Sequence, residues 1–101
     1  MSAPLTTKIL LADDHPVVLR GLRMVLDAQP DLAVVGEAGD GREAVAKALE
    51  LDVDLAILDV AMPGQTGLQA AGELKRRRPE LRTLMLSISV ISPATTFKRA
   101  M

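Results

Sequence analysis

Two places in this sequence hold acids where chemistry is expected. One is Asp13-Asp14-His15-Pro16; the other is Asp59 at the head of Asp59-Val-Ala-Met-Pro-Gly-Gln-Thr-Gly67. Each follows a short apolar run, Lys8 to Ala12 (KILLA) and Leu55-Ala56-Ile57-Leu58. Runs of that kind, bounded by turn residues, read as strands buried on both faces. In an open parallel sheet, ligands bind beyond the carboxyl ends of the strands. Acids gathered there raise one another's pKa unless a cation neutralises them. An oxygen-only, acid-rich set suits a hard ion, Mg2+ above others. Such an ion bridges phosphoryl oxygens and screens charge while a carboxylate attacks phosphorus. Asp59 is then a candidate phosphoryl acceptor. Asp13 and Asp14 are candidate metal ligands beside it. Ser87, at the end of a further apolar run, is a candidate hydrogen-bond donor to a phosphoryl oxygen.

The elements that must position these residues follow from the pattern. Strands are expected at Lys8 to Ala12, Leu32 to Ala38, Asp54 to Asp59 and Arg82 to Ile88. Pro16 opens the first helix, with Val18, Leu22, Val25 and Leu26 as its inner face and Pro30 as its stop. Asp40 and Glu43 have capping-box spacing for a second helix, with Val45, Ala48 and Leu49 inside. Thr66 and Gln69 repeat that spacing for a third, with Leu68, Ala71 and Leu74 inside and Pro79 ending it. Four strands alternating with helices imply a parallel α/β sheet with right-handed crossovers. Asp13, Asp14, Asp59 and Ser87 then share one sheet edge.

Composition narrows the classes. At 101 residues the chain is sized for one domain, with Met1 to Thr7 as a loose arm. There is one aromatic residue and the net charge is −1, which argues against a nucleic-acid module. The absence of Cys removes disulfides and thiolate chemistry, and one His excludes a multi-His metal site. No segment has the length of a membrane span, and the start lacks a signal-peptide pattern. A cytoplasmic domain is the default.

Weaker signals have plainer explanations. Gly39-x-Gly41-x-x-Ala44 fits a dinucleotide fingerprint, but local helix capping accounts for it. Arg76-Arg77-Arg78 reads as a solvated helix end that complements the dipole. His15 reads as a structural residue at a helix N-cap. An aspartate-based phosphatase would want a second acid two residues after Asp59, and position 61 is Ala.

With these residues in place, the chain resembles a response-regulator receiver domain of two-component signalling. The resemblance lies in LLADDHP (Leu10 to Pro16), GLRMVL (Gly21 to Leu26), VVGEAGDGREAV (Val34 to Val45), DLAILDVAMPGQTGL (Asp54 to Leu68) and RRRPELRTLMLS (Arg77 to Ser87). The opening and second strand are similar to the branch usually followed by a LuxR-type helix-turn-helix. The resemblance implies a flavodoxin-like (CheY-like) doubly wound α/β fold. It implies Asp59 as phosphoacceptor from a histidine kinase, Ser87 as switch hydroxyl, and Mg2+ held by Asp13, Asp14, Asp59 and the backbone carbonyl of Ala61. The domain it implies is a signalling receiver in a phosphorelay; transcriptional control would belong to a longer parent protein.

The resemblance covers about residues 8 to 88 and then departs. The family's fifth strand, its following Lys, its aromatic switch residue and its fifth helix have no counterpart in the sequence. Ser92-Pro93 opens a short helix to about Ala100 instead, and Lys98 within it does not take the Lys role. The expectation is a receiver over 8–101, cut short after its fourth strand. That strand would be an open edge in the order 2-1-3-4-5, so a homo-oligomer by edge pairing or element exchange, or else a marginal monomer, is expected. The alternative function is a non-phosphorylated interaction module on the same body.

Overall fold

The computed structural model describes residues 5–87. The expected end of the fourth strand at Ile88 and the helix from Ser92 to about Ala100 lie outside the described residues. Within them, chain order is β1 (Thr7–Ala12), α1 (Pro16–Asp27), β2 (Leu32–Ala38), α2 (Gly41–Glu50), β3 (Leu55–Asp59), α3 (Gly67–Arg77) and β4 (Arg82–Leu86). The strands form one parallel sheet in the order β2-β1-β3-β4. This is the doubly wound α/β arrangement expected from the alternation of strands and helices. Among the described residues β4 is an outer strand.

The central strands β1 and β3 alternate their side chains between two apolar layers. Ile9, Leu11 and Ile57 meet Leu19, Leu22 and Leu26 of α1 on one face. Leu10, Ala12, Ala56 and Leu58 meet Ala44, Val45 and Ala48 of α2 and Ala70 and Leu74 of α3 on the other. Burial on both faces is why these strands read as unbroken apolar runs. The β1–β2 register shifts between Ile9 and Leu10, which face Val34 and Gly36, so Val35 is an extra residue on β2.

Several expectations shift in detail. β1 starts at Thr7, inside the stretch expected to be an arm, and the Thr7 N–H bonds the Asp31 carbonyl at 2.9 Å. β3 starts at Leu55, because Asp54 instead turns its carboxylate onto the Lys8 N–H at 2.9 Å. β4 stops at Leu86, and α1 stops at Asp27 before Pro30 is reached. The inner face of α1 is Leu19, Leu22 and Leu26, while Val25 is 65% exposed. On α3, Ala70 and Leu74 point inward and Leu68 is 62% exposed. The cause is the seat of that helix. Gly67 packs so close to β3 that a Cβ there would overlap the Asp59 carbonyl, which sets the helix rotation.

The capping expectations hold. Thr66 accepts the Gln69 N–H at 3.2 Å and the Gln69 side chain accepts the Thr66 N–H at 2.9 Å, a complete capping box. Asp40 accepts the Glu43 N–H at 2.8 Å. Glu43 reaches back one residue further, to the Gly39 N–H at 2.7 Å. No helix among the described residues is long and apolar enough to cross a membrane.

Candidate functional site

β1 ends in Ala12, and the Asp13 N–H continues the pairing to the Ala38 carbonyl at 3.0 Å. The Asp13 Oδ1 atom then accepts the His15 N–H at 2.8 Å. This side-chain turn reverses the chain into α1, where Pro16 takes the first helical position. Asp13 is buried, and its Oδ2 has no hydrogen-bond partner among the described residues. Asp14 lies further out, with its side chain one-third exposed.

Asp59 enters from β3, the neighbouring strand, and is fully buried. Its Oδ1 accepts the Ala61 N–H at 3.2 Å. The loop behind it is pinned at both ends. The Val60 N–H bonds the Leu86 carbonyl at 2.8 Å, and the Gly67 N–H bonds the Val60 carbonyl at 3.1 Å. Met62 is buried between them, and Gly64 makes the turn with φ of 70°, a conformation that suits glycine.

Asp13, Asp14 and Asp59 therefore converge, and His15 joins them. One ligand atom from each of the four lies within 4.8 Å of the others. His15 Nδ1 is 2.8 Å from Asp13 Oδ1 and 3.0 Å from Asp14 Oδ1. The hydrogen bond to Asp13 holds the His15 pKa above its ordinary value, and the charges of Asp14, Asp13 and Asp59 add to this against a smaller opposing effect of burial. Ser87 follows Leu86, the β4 partner of Asp59, and is exposed. Ala61 is at the site through its N–H.

The donor set fits a hard divalent cation. Three carboxylates meet at one point, and the buried Oδ2 of Asp13 lacks any hydrogen-bond donor among the described residues. Such an oxygen is costly unless something cationic approaches it.

Two features of the site and its surroundings depart from the sequence-based expectation. His15 is expected to be structural, yet its side chain makes no capping bond and turns to the acids. Its place directly after two acids in a loop is the available signal. Arg78 is expected, with Arg76 and Arg77, to be solvated. It donates instead to the carbonyls of Ala48 at 2.7 Å, Val53 at 3.3 Å and Leu51 at 3.4 Å, fastening the loop after α2. The glycine fingerprint is accounted for as expected: the Gly39 N–H is taken by Glu43, and a Cβ on Gly41 would overlap the Gln65 carbonyl.

A parallel sheet of order 2-1-3-4 with an acid cluster beyond β1 and β3 defines a CheY-like signalling receiver. The family profile described as "Response regulator receiver domain" matches residues 9–100, and the chain belongs to that family of two-component signalling. The match runs past residue 88, where the resemblance in motifs ends. Response regulator protein VraR of Staphylococcus aureus is 41% identical over 83 residues, covering 82% of this chain and 40% of VraR. The chain thus matches well under half of that relative's length. The signal receiver domain of NarL from Mycobacterium tuberculosis has a TM-score of 0.81 at 31% identity, over 96% of this chain and 77% of that one. RcsB from Salmonella enterica serovar Typhimurium, solved on promoter P1flhDC with the phosphomimetic BeF3-, has a TM-score of 0.73 at 32% identity, over 79% of this chain and 41% of that one. These neighbours support the link to LuxR-type regulators. The domain is a signalling module and not an enzyme in the ordinary sense.

Proposed function

We propose that Asp59 accepts a phosphoryl group from the phosphohistidine of a partner histidine kinase, in a Mg2+-dependent step. The observation that carries this reading is the convergence of Asp13, Asp14 and Asp59, in which the buried Asp13 carboxylate also keeps one oxygen, Oδ2, without a hydrogen-bond partner among the described residues. Asp13, Asp14 and Asp59, with the backbone carbonyl of Ala61, would hold the cation. When bound, it screens the acids and the phosphoryl oxygens from one another.

The chain's own groups do the rest. The Ala61 N–H fixes the rotation of the Asp59 carboxylate. An Asp59 oxygen attacks phosphorus, an O–P bond forms, and the P–N bond breaks with its electrons returning to the imidazole. Water later hydrolyses the acyl phosphate. Ser87 donates its hydroxyl to a phosphoryl oxygen. The new group adds about −1.5 to −2 charges, by analogy with other phosphorylated side chains. Drawing Ser87 inward alters the surface that the end of β4 offers to a partner. The output is transcriptional and belongs to a longer parent protein: VraR is a response regulator of greater length and RcsB was solved on promoter DNA. The receiver, with net charge −1, is not the DNA-binding part. It works as a homo-oligomer; RcsB, for comparison, was solved as two dimers bound to two parallel DNAs.

Incubation with Mg2+ and a small acyl-phosphate donor, followed by intact-mass measurement, tests the reading. One phosphoryl adduct is expected, absent in Asp59→Asn and without Mg2+. A chain that stays unlabelled while an ordinary receiver labels would instead support the non-phosphorylated interaction module.

A further inference from the structure

We infer that His15 is a nitrogen ligand of the cation site and shifts its preference from Mg2+ toward Mn2+ and similar imidazole-accepting ions. The inference rests on the proposal that the acid cluster holds a divalent cation, and goes beyond it by adding a ligand and a selectivity.

The geometry is that of a coordination edge. Ligands at about 2.1 Å from an octahedral ion are about 3.0 Å apart when adjacent and about 4.2 Å apart when opposite. His15 Nδ1 lies 2.8 Å and 3.0 Å from Asp13 Oδ1 and Asp14 Oδ1, the spacing of adjacent ligands, while the four ligand atoms span up to 4.8 Å and must draw in slightly round an ion. Asp13 Oδ2, buried and without a donor among the described residues, supplies an independent sign that the cluster is built for a cation. The backbone is already committed to this placement. The His15 N–H is tied to Asp13, so the ring cannot leave without undoing the turn into α1 or rotating about its own side-chain bonds. No helix-capping bond competes for the imidazole. Ligation needs the neutral ring with its proton on Nε2, and the proton shared with the carboxylates passes to solvent.

Oxygen-only sites suit Mg2+, whereas an imidazole adds affinity for transition metals and little for Mg2+. The expected consequence is a selectivity that depends on one side chain. In titration calorimetry on the whole chain, His15→Ala is expected to weaken Mn2+ binding about tenfold more than it weakens Mg2+ binding. A direct readout needs no substitution. The chain has one His. Pulsed EPR of bound Mn2+ should show nitrogen coupling that converts from the 14N to the 15N pattern when histidine alone is labelled. Mn2+ bound without histidine coupling, or equal loss of both ions in His15→Ala, overturns the inference while leaving the cation site standing. Absence of any Mn2+ or Mg2+ binding overturns both.

Discussion

Asp13 serves two structures with two oxygens. Oδ1 makes the turn into α1 and meets His15, and Oδ2 is buried without a hydrogen-bond partner among the described residues. Asp13→Asn keeps an acceptor for the His15 N–H but removes the charge. The fold is expected to survive by circular dichroism, while Mg2+ affinity falls at least about tenfold in calorimetry. Gly67 is the other residue where one atom decides. A methyl group there would overlap the Asp59 carbonyl. Gly67→Ala is expected to destabilise the domain by about 1–3 kcal/mol, the usual range for overpacking, and to lower acyl-phosphate labelling as Asp59 shifts. Denaturant unfolding and the intact-mass assay measure the two effects separately.

At the scale of elements, α2 and α3 are fixed at their N-termini by side chains that the sequence displays. Thr66→Ala removes half of a complete capping box and should cost about 1 kcal/mol in chemical denaturation. Arg78→Ala should cost more, about 1.5–3 kcal/mol, because one charged group serves carbonyls of Ala48, Leu51 and Val53. Glu43 predicts a pH dependence. Its hydrogen bond from the Gly39 N–H, helped by Lys47, holds its pKa below the ordinary value. A carboxylate lowered on folding stabilises the native state above its unfolded pKa, and this is lost as pH falls through the folded value. The thermal midpoint of Glu43→Gln should therefore lie below the parent's at neutral pH and approach it in acid. The gap should be small and salt-sensitive, since the side chain is 46% exposed.

At the scale of the molecule, stability is distributed unevenly. β1 and β3 are central and packed on both faces, whereas α1 contains no fully buried residue. Hydrogen exchange is expected to protect β1 and β3 amides most and to find α1 opening well before the sheet. Slowest exchange in α1 would contradict this layering. The arrangement matters for signalling, because the acids of the site sit at the ends of the two central strands. His15, by contrast, begins the least buried helix.

Much of this is legible in the chain itself. The runs KILLA and LAILD announce strands buried on both faces, and Asp40, Thr66 and Pro16 mark helix starts, because those signals are local. Asp13, Asp14 and Asp59 can be named as one site because strand ends in a parallel sheet share an edge. Contacts that depend on helix rotation and loop path are not legible. The choice of Leu19 over Val25 for the core, and the outward turn of Leu68, follow from how each helix seats on the sheet. The inward reach of Arg78 depends on a loop some 30 residues away in sequence. His15 looks like a cap by position. Only the fold, by bringing Asp59 to the turn that Asp13 makes, sets an imidazole among three carboxylates.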